Sequence, residues 1–390
     1  MNLDTLTSTE FQLNDHITYL NHAAVSPWPK RTADAVTTFA QENLTQGSLN
    51  YPEWMQTESN LRQQLASLIN APSGDDIALL KNTSEALSMV AYGLDWQEGD
   101  NVVITNQEFP SNRIVWESLK PKGVEIRYAN INIEANNDGN GNYADNQAPE
   151  SAIIELCDSR TRLVSVSSVQ YATGLCINLE RLGAHCRSNN ILFCIDAIQS
   201  VGALRFDVQQ VQADFAMADG HKWMLGPEGV AFFYCKAELR DRINLTQFGW
   251  HMTDDYLNFD QQEWQRAATA RCFECGSPNM MGIHALDASI SLLLEAGMIN
   301  VESRIHENTR LIIDYIEHHD NLQLVSSAHA SRLSGIVSFR HAKLPSSDLH
   351  KQLMQQNIIC AERGNAVRLS PHFYTPQAKT LKALEIISNQ

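Results

Sequence analysis

Two side chains in this chain have the types and placement for carbonyl and carbanion chemistry. Asp196 ends the apolar run of FCIDAIQSVG, and Lys222 follows 26 residues later, in the Gly-flanked turn of ADFAMADGHKWMLGPEGVAFFY. In open α/β sheets the loops at the carboxyl ends of strands line the ligand crevice, so both side chains can converge on one ligand. A lysine with a buried acid suggests pyridoxal phosphate: the amine bonds the cofactor's aldehyde, and the carboxylate pairs with the pyridine nitrogen so that the ring accepts carbanion electrons. By residue type and spacing alone, a salt bridge or two unrelated polar residues at strand ends is the better-supported reading.

The elements around these residues point to an α/β domain. DDIALLKN, GDNVVITN, VEIRYANI, TRLVSVSSV, NILFCIDA, ADFAMA and GVAFFYCK read as strands. Between them, SEALSMVAYGL and LERLGAHCRSNN carry apolar residues at three- and four-residue spacing, the pattern of helices covering a parallel sheet. Residues 134–149, rich in Asn, Gly and Asp, read as a surface loop. After residue 260 comes a long helical run, 280–319, then short strands LQLVS and SGIVSFR and a final helix, which together read as a smaller α+β domain. The expected division is an N-terminal arm (1–17), a large domain (18–260) and a small domain (261–390).

Composition narrows the classes. The 390 residues hold 29 Lys+Arg against 45 Asp+Glu, a formal charge of −16, with 43% hydrophobic residues. This acidic balance, without a basic cluster, argues against nucleic acid or anionic lipid as the main partner. No window approaches the ~20 apolar residues of a membrane helix. Eight cysteines are scattered through apolar stretches with no disulfide framework, and the start has neither a basic nor an apolar leader, so a reducing cytoplasm is expected. Cys272 and Cys275 form a C-x-x-C with no second pair at zinc spacing, so core or loop thiols are the better reading and no metal is expected.

The strings GHKW and IDAIQ, with flanking segments from YLNHAAVSPWP to VRLSPHFYTP, resemble the class V branch of the fold-type I pyridoxal phosphate enzymes. That branch includes cysteine desulfurases, cystine lyases, kynureninases and isopenicillin N epimerase-like proteins. The resemblance implies a large domain with a mostly parallel sheet between helices and a smaller C-terminal α+β domain. It makes Lys222 the Schiff-base lysine, Asp196 the partner of the pyridinium nitrogen, Gln199 a donor to the cofactor's phenolic oxygen and His221 a phosphate contact. Outside the motif, Gln199 reads as a surface amide and His221 as a structural or solvated histidine.

The phosphate site has its own physical argument. KNTSEALSMVAYGL follows a strand and opens a helix with Asn82 as N-cap and Glu85 three residues on, so free N–H groups and the Thr83 and Ser84 hydroxyls face an anion there. As a bare pattern it is only a capped helix. By resemblance, Phe109 stacks on the ring, Gln170 and Thr173 of SVQYATG, a loop that passes the cofactor, face the ring or the substrate, and Arg368 grips the substrate carboxylate through two parallel hydrogen bonds. Arg363 is the weaker substitute for Arg368, and a lone arginine would otherwise read as a surface ion pair. Ser277 of CFECGSPN reaches the phosphate of a neighbouring subunit, which implies a homodimer with shared sites. His22 and Trp250 read somewhat better as loop and packing residues than as substrate contacts.

The sequence departs from these relatives in three places. Phe109 stands where many desulfurases have His, and it can stack but cannot move a proton. Asp219 stands where relatives put Ser or Thr, and a carboxylate repels a phosphate unless it points elsewhere. Desulfurases carry a mobile catalytic Cys ahead of the carboxylate-binding Arg, whereas here Cys360 lies in the apolar run NIIC, eight residues before Arg368. The expected activity is therefore β-elimination at the carbon–sulfur bond of a cysteine-like amino acid, grouped with desulfuration. Epimerisation or transamination is the alternative. A non-catalytic protein that kept the fold would be expected to have lost Lys222 or Asp196, and both are present.

Overall fold

The computed structural model describes residues 3–131 and 148–390. Of the 134–149 loop, residues 134–147 lie outside the described residues, and Pro149 already opens the helix Pro149–Glu155. In chain order the strands are β1 (Thr18–Tyr19), β2 (Ile77–Leu80), β3 (Asn101–Thr105), β4 (Glu125–Ala129), β5 (Thr161–Ser167), β6 (Leu192–Asp196), β7 (Phe215–Asp219), β8 (Ala231–Cys235), β9 (Leu322–Leu324), β10 (Val337–His341), β11 (Ile358–Ile359), β12 (Ala361–Arg363) and β13 (Ala366–Leu369).

The seven apolar runs become one seven-stranded sheet in the order β2-β8-β7-β6-β5-β3-β4. The inner strands are covered on both faces and so read as continuous apolar runs, whereas the edge strand β4 buries only Ile126 and Ala129. Within β3, Val103 packs into one core while Val102 and Ile104 pack into the other. The sheet is mixed: β8 runs antiparallel to both β7 and β2, and the remaining pairs are parallel. The cause is the short connection from β7 to β8, too tight for a helical crossover, and that connection carries Lys222.

A second, antiparallel sheet runs β12-β13-β10-β9 over its own apolar cluster. The β1–β11 pair ties the first strand of the chain to this part of the molecule. The run 280–319 is two helices, Met280–Ala296 and Met298–Glu317, bent by 84°. The break falls at Gly297, whose φ of 75° is the left-handed conformation that glycine adopts without penalty. Among the described residues no single helix is long and apolar enough to cross a membrane.

The two sheets are joined through the backbone of residues 171–176. Its carbonyls accept in turn from Arg368 Nη1 (Tyr171 O, 2.6 Å), Ser338 Oγ (Ala172 O, 2.5 Å), Ser326 Oγ (Thr173 O, 2.6 Å), Ser334 Oγ (Gly174 O, 2.7 Å) and Arg332 Nη1 (Cys176 O, 3.1 Å). Arg332 also donates to both oxygens of buried Glu150, at 2.7 and 3.0 Å, and Glu150 Oε1 accepts from Asn178 N–H. Gly174 is required here, because a Cβ would lie 2.4 Å from Ile336 O and its φ is +73°. Replacing Arg332 by Met strands the Glu150 charge in the seam, so urea unfolding should show a loss of about 3–5 kcal/mol. A loss below about 1 kcal/mol would mean that the pair contributes little.

Candidate active site

A cavity of about 370 Å³ opens at the carboxyl ends of β2, β3, β6 and β7. It gathers Thr83, Ser84, Phe109, Asp196, Gln199, His221, Lys222, Arg363 and Arg368, which lie far apart in sequence. Each comes from the last residue of a strand, the residues just after one, or the β12–β13 hairpin, the positions that strand ends offer to a ligand.

Lys222 is 9% exposed and Asp196 2% exposed. Burial pushes the Lys222 ammonium down to about 8, against the pull of Asp196 and with a further push from Arg368. Burial likewise pushes the Asp196 carboxyl up to about 6, opposed by the Ile198 N–H it accepts at 3.1 Å and by Lys222. The turn holding the lysine is closed by hydrogen bonds from Leu225 N–H to Lys222 O (3.1 Å) and from Gly226 N–H to Gly220 O (2.9 Å). Leu225 has φ 61°, a strained value for a branched residue that the surrounding packing must support. Trp223, fully buried, anchors the turn by donating to Gln199 Oε1 at 2.8 Å. His372 accepts at Nδ1 from Phe373 N–H, so it is Nε2 that donates to Trp223 O, at 3.1 Å.

At one end of the cavity lies the helix Thr83–Gly93. Asn82 Oδ1 accepts from Glu85 N–H at 2.9 Å, and Glu85 Oε2 accepts from Lys81 N–H at 2.7 Å. Among the described residues the N–H groups of Thr83 and Ser84 have no acceptor and are left for a ligand, and Thr83 Oγ1 is buried with no partner. Asp219 turns toward the imidazole, its Oδ1 2.9 Å from His221 Nδ1 but off the line of a hydrogen bond. At the other end Arg368, 1% exposed, donates through Nη1 to Tyr171 O, while its Nε has no partner. Burial and neighbouring Arg363 lower this guanidinium to about 9. Between the ends, the Phe109 ring centroid lies 5.5 Å from Lys222 Nζ. Glu108, the residue before Phe109, is tied down, its carboxylate accepting from Thr105, Asn112 and Ser167.

These donors fit pyridoxal phosphate. An orphaned hydroxyl with free N–H groups suits the phosphate, an exposed aromatic face suits the ring, and a buried acid stands by for the pyridine nitrogen. Gln199 Nε2 donates to Ala23 O at 3.0 Å and keeps its second hydrogen for the phenolic oxygen.

The other residues named from sequence lie outside this cavity. Ser277 lines a separate cleft of about 280 Å³ with Lys81, Glu85 and Cys275. Trp250 lines a third, aromatic cleft with Phe248 and Trp264. His22 is buried, donating through Nδ1 to Ser370 O (2.8 Å) so that Nε2 accepts from Tyr374 OH (2.7 Å), and burial lowers it to about 4. Gln170 is buried, its Nε2 3.4 Å from Thr105 Oγ1, and Thr173 is engaged through its carbonyl. Of the two residues between them in sequence, it is Tyr171 that lines the cavity. Nothing in its type singles it out from its neighbours; only strand-end geometry turns it inward.

A family model described as Aminotransferase class-V matches residues 18–383. The chain is 29% identical to a probable cysteine desulfurase of Methanothermobacter thermautotrophicus, over 93% of this chain and 91% of that one. It is 26% identical to an uncharacterized aminotransferase of Bacillus subtilis, over 89% and 87%. Among solved structures, the apo cysteine desulfurase of Thermococcus onnurineus superposes with a TM-score of 0.87 at 23% identity, covering 100% of this chain and 98% of that one. A cystine C-S lyase in complex with its product, cysteine persulfide, gives 0.87 at 22%, covering 96% and 98%. These two likenesses establish the fold.

The lowered lysine makes a prediction about the cofactor-free protein. Only the neutral amine attacks an electrophile, and the neutral fraction rises with pH through the pKa. Reductive methylation of Lys222, followed by mass spectrometry, should therefore rise with pH and reach half its plateau near 8. A midpoint at or above about 10, the value of an ordinary lysine, would contradict the burial argument.

Proposed function

The chain belongs to the class-V aminotransferase family, and we propose that it cleaves the carbon–sulfur bond of L-cysteine or a cysteine-like amino acid such as L-cystine. The observation that carries this reading is the meeting, in one cavity, of the buried Lys222 amine, the Asp196 carboxylate and the buried guanidinium of Arg368. They provide a base, a partner for a heterocyclic nitrogen and an amino-acid carboxylate site.

Pyridoxal phosphate, when bound, supplies the sink for the electron pair left as the substrate's α-proton departs. Lys222 Nζ takes that proton, and burial favours the neutral amine this needs. Asp196 is acceptor to the ring nitrogen, and a cation there favours its ionised form. Thr83, Ser84 and His221 hold the phosphate, Phe109 stacks on the ring, and Arg368 fixes the carboxylate. Ser277 serves the phosphate of a neighbouring subunit.

Elimination is preferred over persulfide transfer because of the thiol nearest Arg368 in sequence. Cys360 is 2% exposed, and burial pushes it up to about 12, so it is held as the inert thiol. In elimination the Cβ–S bond breaks with its electron pair leaving on sulfur, and hydrolysis of the carbon fragment yields pyruvate and ammonia. L-cysteine thus releases sulfide, and L-cystine releases cysteine persulfide. The same reading makes the protein a cytoplasmic homodimer acting on a small amino acid, with neither nucleic acid nor membrane as partner; the formal charge of −16 supports the last point.

The test incubates cofactor-loaded protein with L-cysteine and with L-cystine and identifies the carbon product. Pyruvate with ammonia is expected, and alanine would replace elimination by sulfur transfer. Lys222→Ala should lose the borohydride-reducible lysine adduct and lower turnover by about 10²–10⁴-fold. If neither substrate turns over while that adduct is present in the parent protein, the sulfur reading falls.

A further inference from the structure

We propose that Tyr171 determines side-chain specificity, its carbonyl setting the orientation of Arg368 and its phenol bordering the space into which the substrate's β-substituent projects. This rests on the amino-acid reading of the site above, but not on the fate of the carbon–sulfur bond.

The first support is the way Arg368 is held. Tyr171 O takes Nη1 at 2.6 Å, while Nε is buried and without a partner among the described residues. A carboxylate is therefore received on the Nε edge of the guanidinium, where two parallel hydrogen bonds are still available. One backbone carbonyl thus chooses which edge of the arginine faces the ligand.

The second is the position of the side chain. The Tyr171 ring meets Phe109 edge-on, with centroids 5.2 Å apart at 81°, and Phe109 in turn lies 5.5 Å from Lys222 Nζ. The phenol is also near enough to act on the charge of Arg368. Tyr171 consequently spans the interval between the carboxylate site and the lysine. An amino acid anchored at both points must place its β-substituent within that interval. Among the described residues the phenol oxygen makes no hydrogen bond, so its O–H is available as a donor.

The third is stiffness. The three residues after Tyr171 have their carbonyls fastened to Ser338, Ser326 and Ser334, and Gly174 admits no side chain against Ile336. A bulky substituent cannot push this segment aside. The site selects by size instead of adapting.

The experiment follows ligand binding through the cofactor absorption band of the loaded protein, for wild type, Tyr171→Phe and Tyr171→Ala. The probes are L-alanine, L-serine and S-benzyl-L-cysteine. In Tyr171→Ala, affinity for S-benzyl-L-cysteine relative to L-alanine should rise about tenfold or more, the scale of pocket discrimination by small volume changes. In Tyr171→Phe, affinity for L-serine relative to L-alanine should fall about fivefold, the equivalent of one neutral hydrogen bond. Unchanged ratios in both variants would overturn the proposal. Should Tyr171→Ala fail to take up cofactor, the isosteric Phe variant decides alone. Shifted ratios in a protein that releases no sulfur would sink the elimination reading and leave Tyr171 in its role. Sulfur release with unmoved ratios would do the reverse.

Discussion

The structure depends on keeping one amine, Lys222 Nζ, out of water and in a fixed place. An ammonium is costly to bury, and the cost appears as its shift down to about 8. The fold sustains that cost by making the lysine turn rigid. Gly202 lies so close that a Cβ there would come within 2.3 Å of Trp223 O, and Gly335 so close that one would meet the indole ring at the same distance. Trp223 is thereby clamped from both sides, and the lysine next to it inherits the clamp. The antiparallel β8 belongs to the same logic, since a tight return from β7 keeps the turn short.

Much of this was legible in the sequence, for physical reasons that also explain the rest. The inner strands could be read because a sheet covered on both faces demands unbroken apolar runs, and the edge strand β4 by its β-branched and aromatic residues. Their directions could not, because the apolar pattern of β8 is the same whichever way it runs. The helical run 280–319 reads as continuous because Gly297 is only one residue in a strong pattern, and one φ of 75° is enough to turn the chain by 84°. At the site, Lys222, Asp196 and Thr83 were found because Asp196 ends a strand and Lys222 and Thr83 follow one within three residues, where local sequence and ligand geometry coincide. Tyr171 was not, because its role comes from contacts with Arg368 and Phe109, 197 and 62 residues away (368 − 171 and 171 − 109).

The small sheet contributes more than a cover. Arg368 lies on β13, paired with Ser338 of β10, and Ser338 itself holds Ala172 O. Two adjacent residues of the small sheet therefore grip two adjacent carbonyls of the segment that borders the cavity. The distance from guanidinium to lysine is set by this lacing and, beyond it, by His372, four residues after Arg368, which donates to the carbonyl next to Lys222. The length of amino acid that fits between the two anchors is in this sense a property of the seam.

Why Asp196 and not its buried neighbour Glu108 should meet a cationic ring follows from counting hydrogen bonds. Both carboxylates lie beside the seven-stranded sheet and are almost wholly buried. Glu108 receives the Thr105 and Ser167 hydroxyls, the Asn112 amide and the Ser167 N–H, so its lone pairs are occupied by donors that have no other task. Its charge is dispersed over these donors, and it tethers the segment that carries Phe109. Asp196 receives one backbone N–H, from Ile198, and is left with unfilled acceptor capacity facing the cavity. A buried carboxylate so poorly satisfied is unstable as an anion, consistent with its rise to about 6, until a cation arrives to share the space. Glu108 also raises Asp196 by its own charge, which strengthens the demand for such a cation. Of the two acids, the one with fewer partners is thus the one poised to bind.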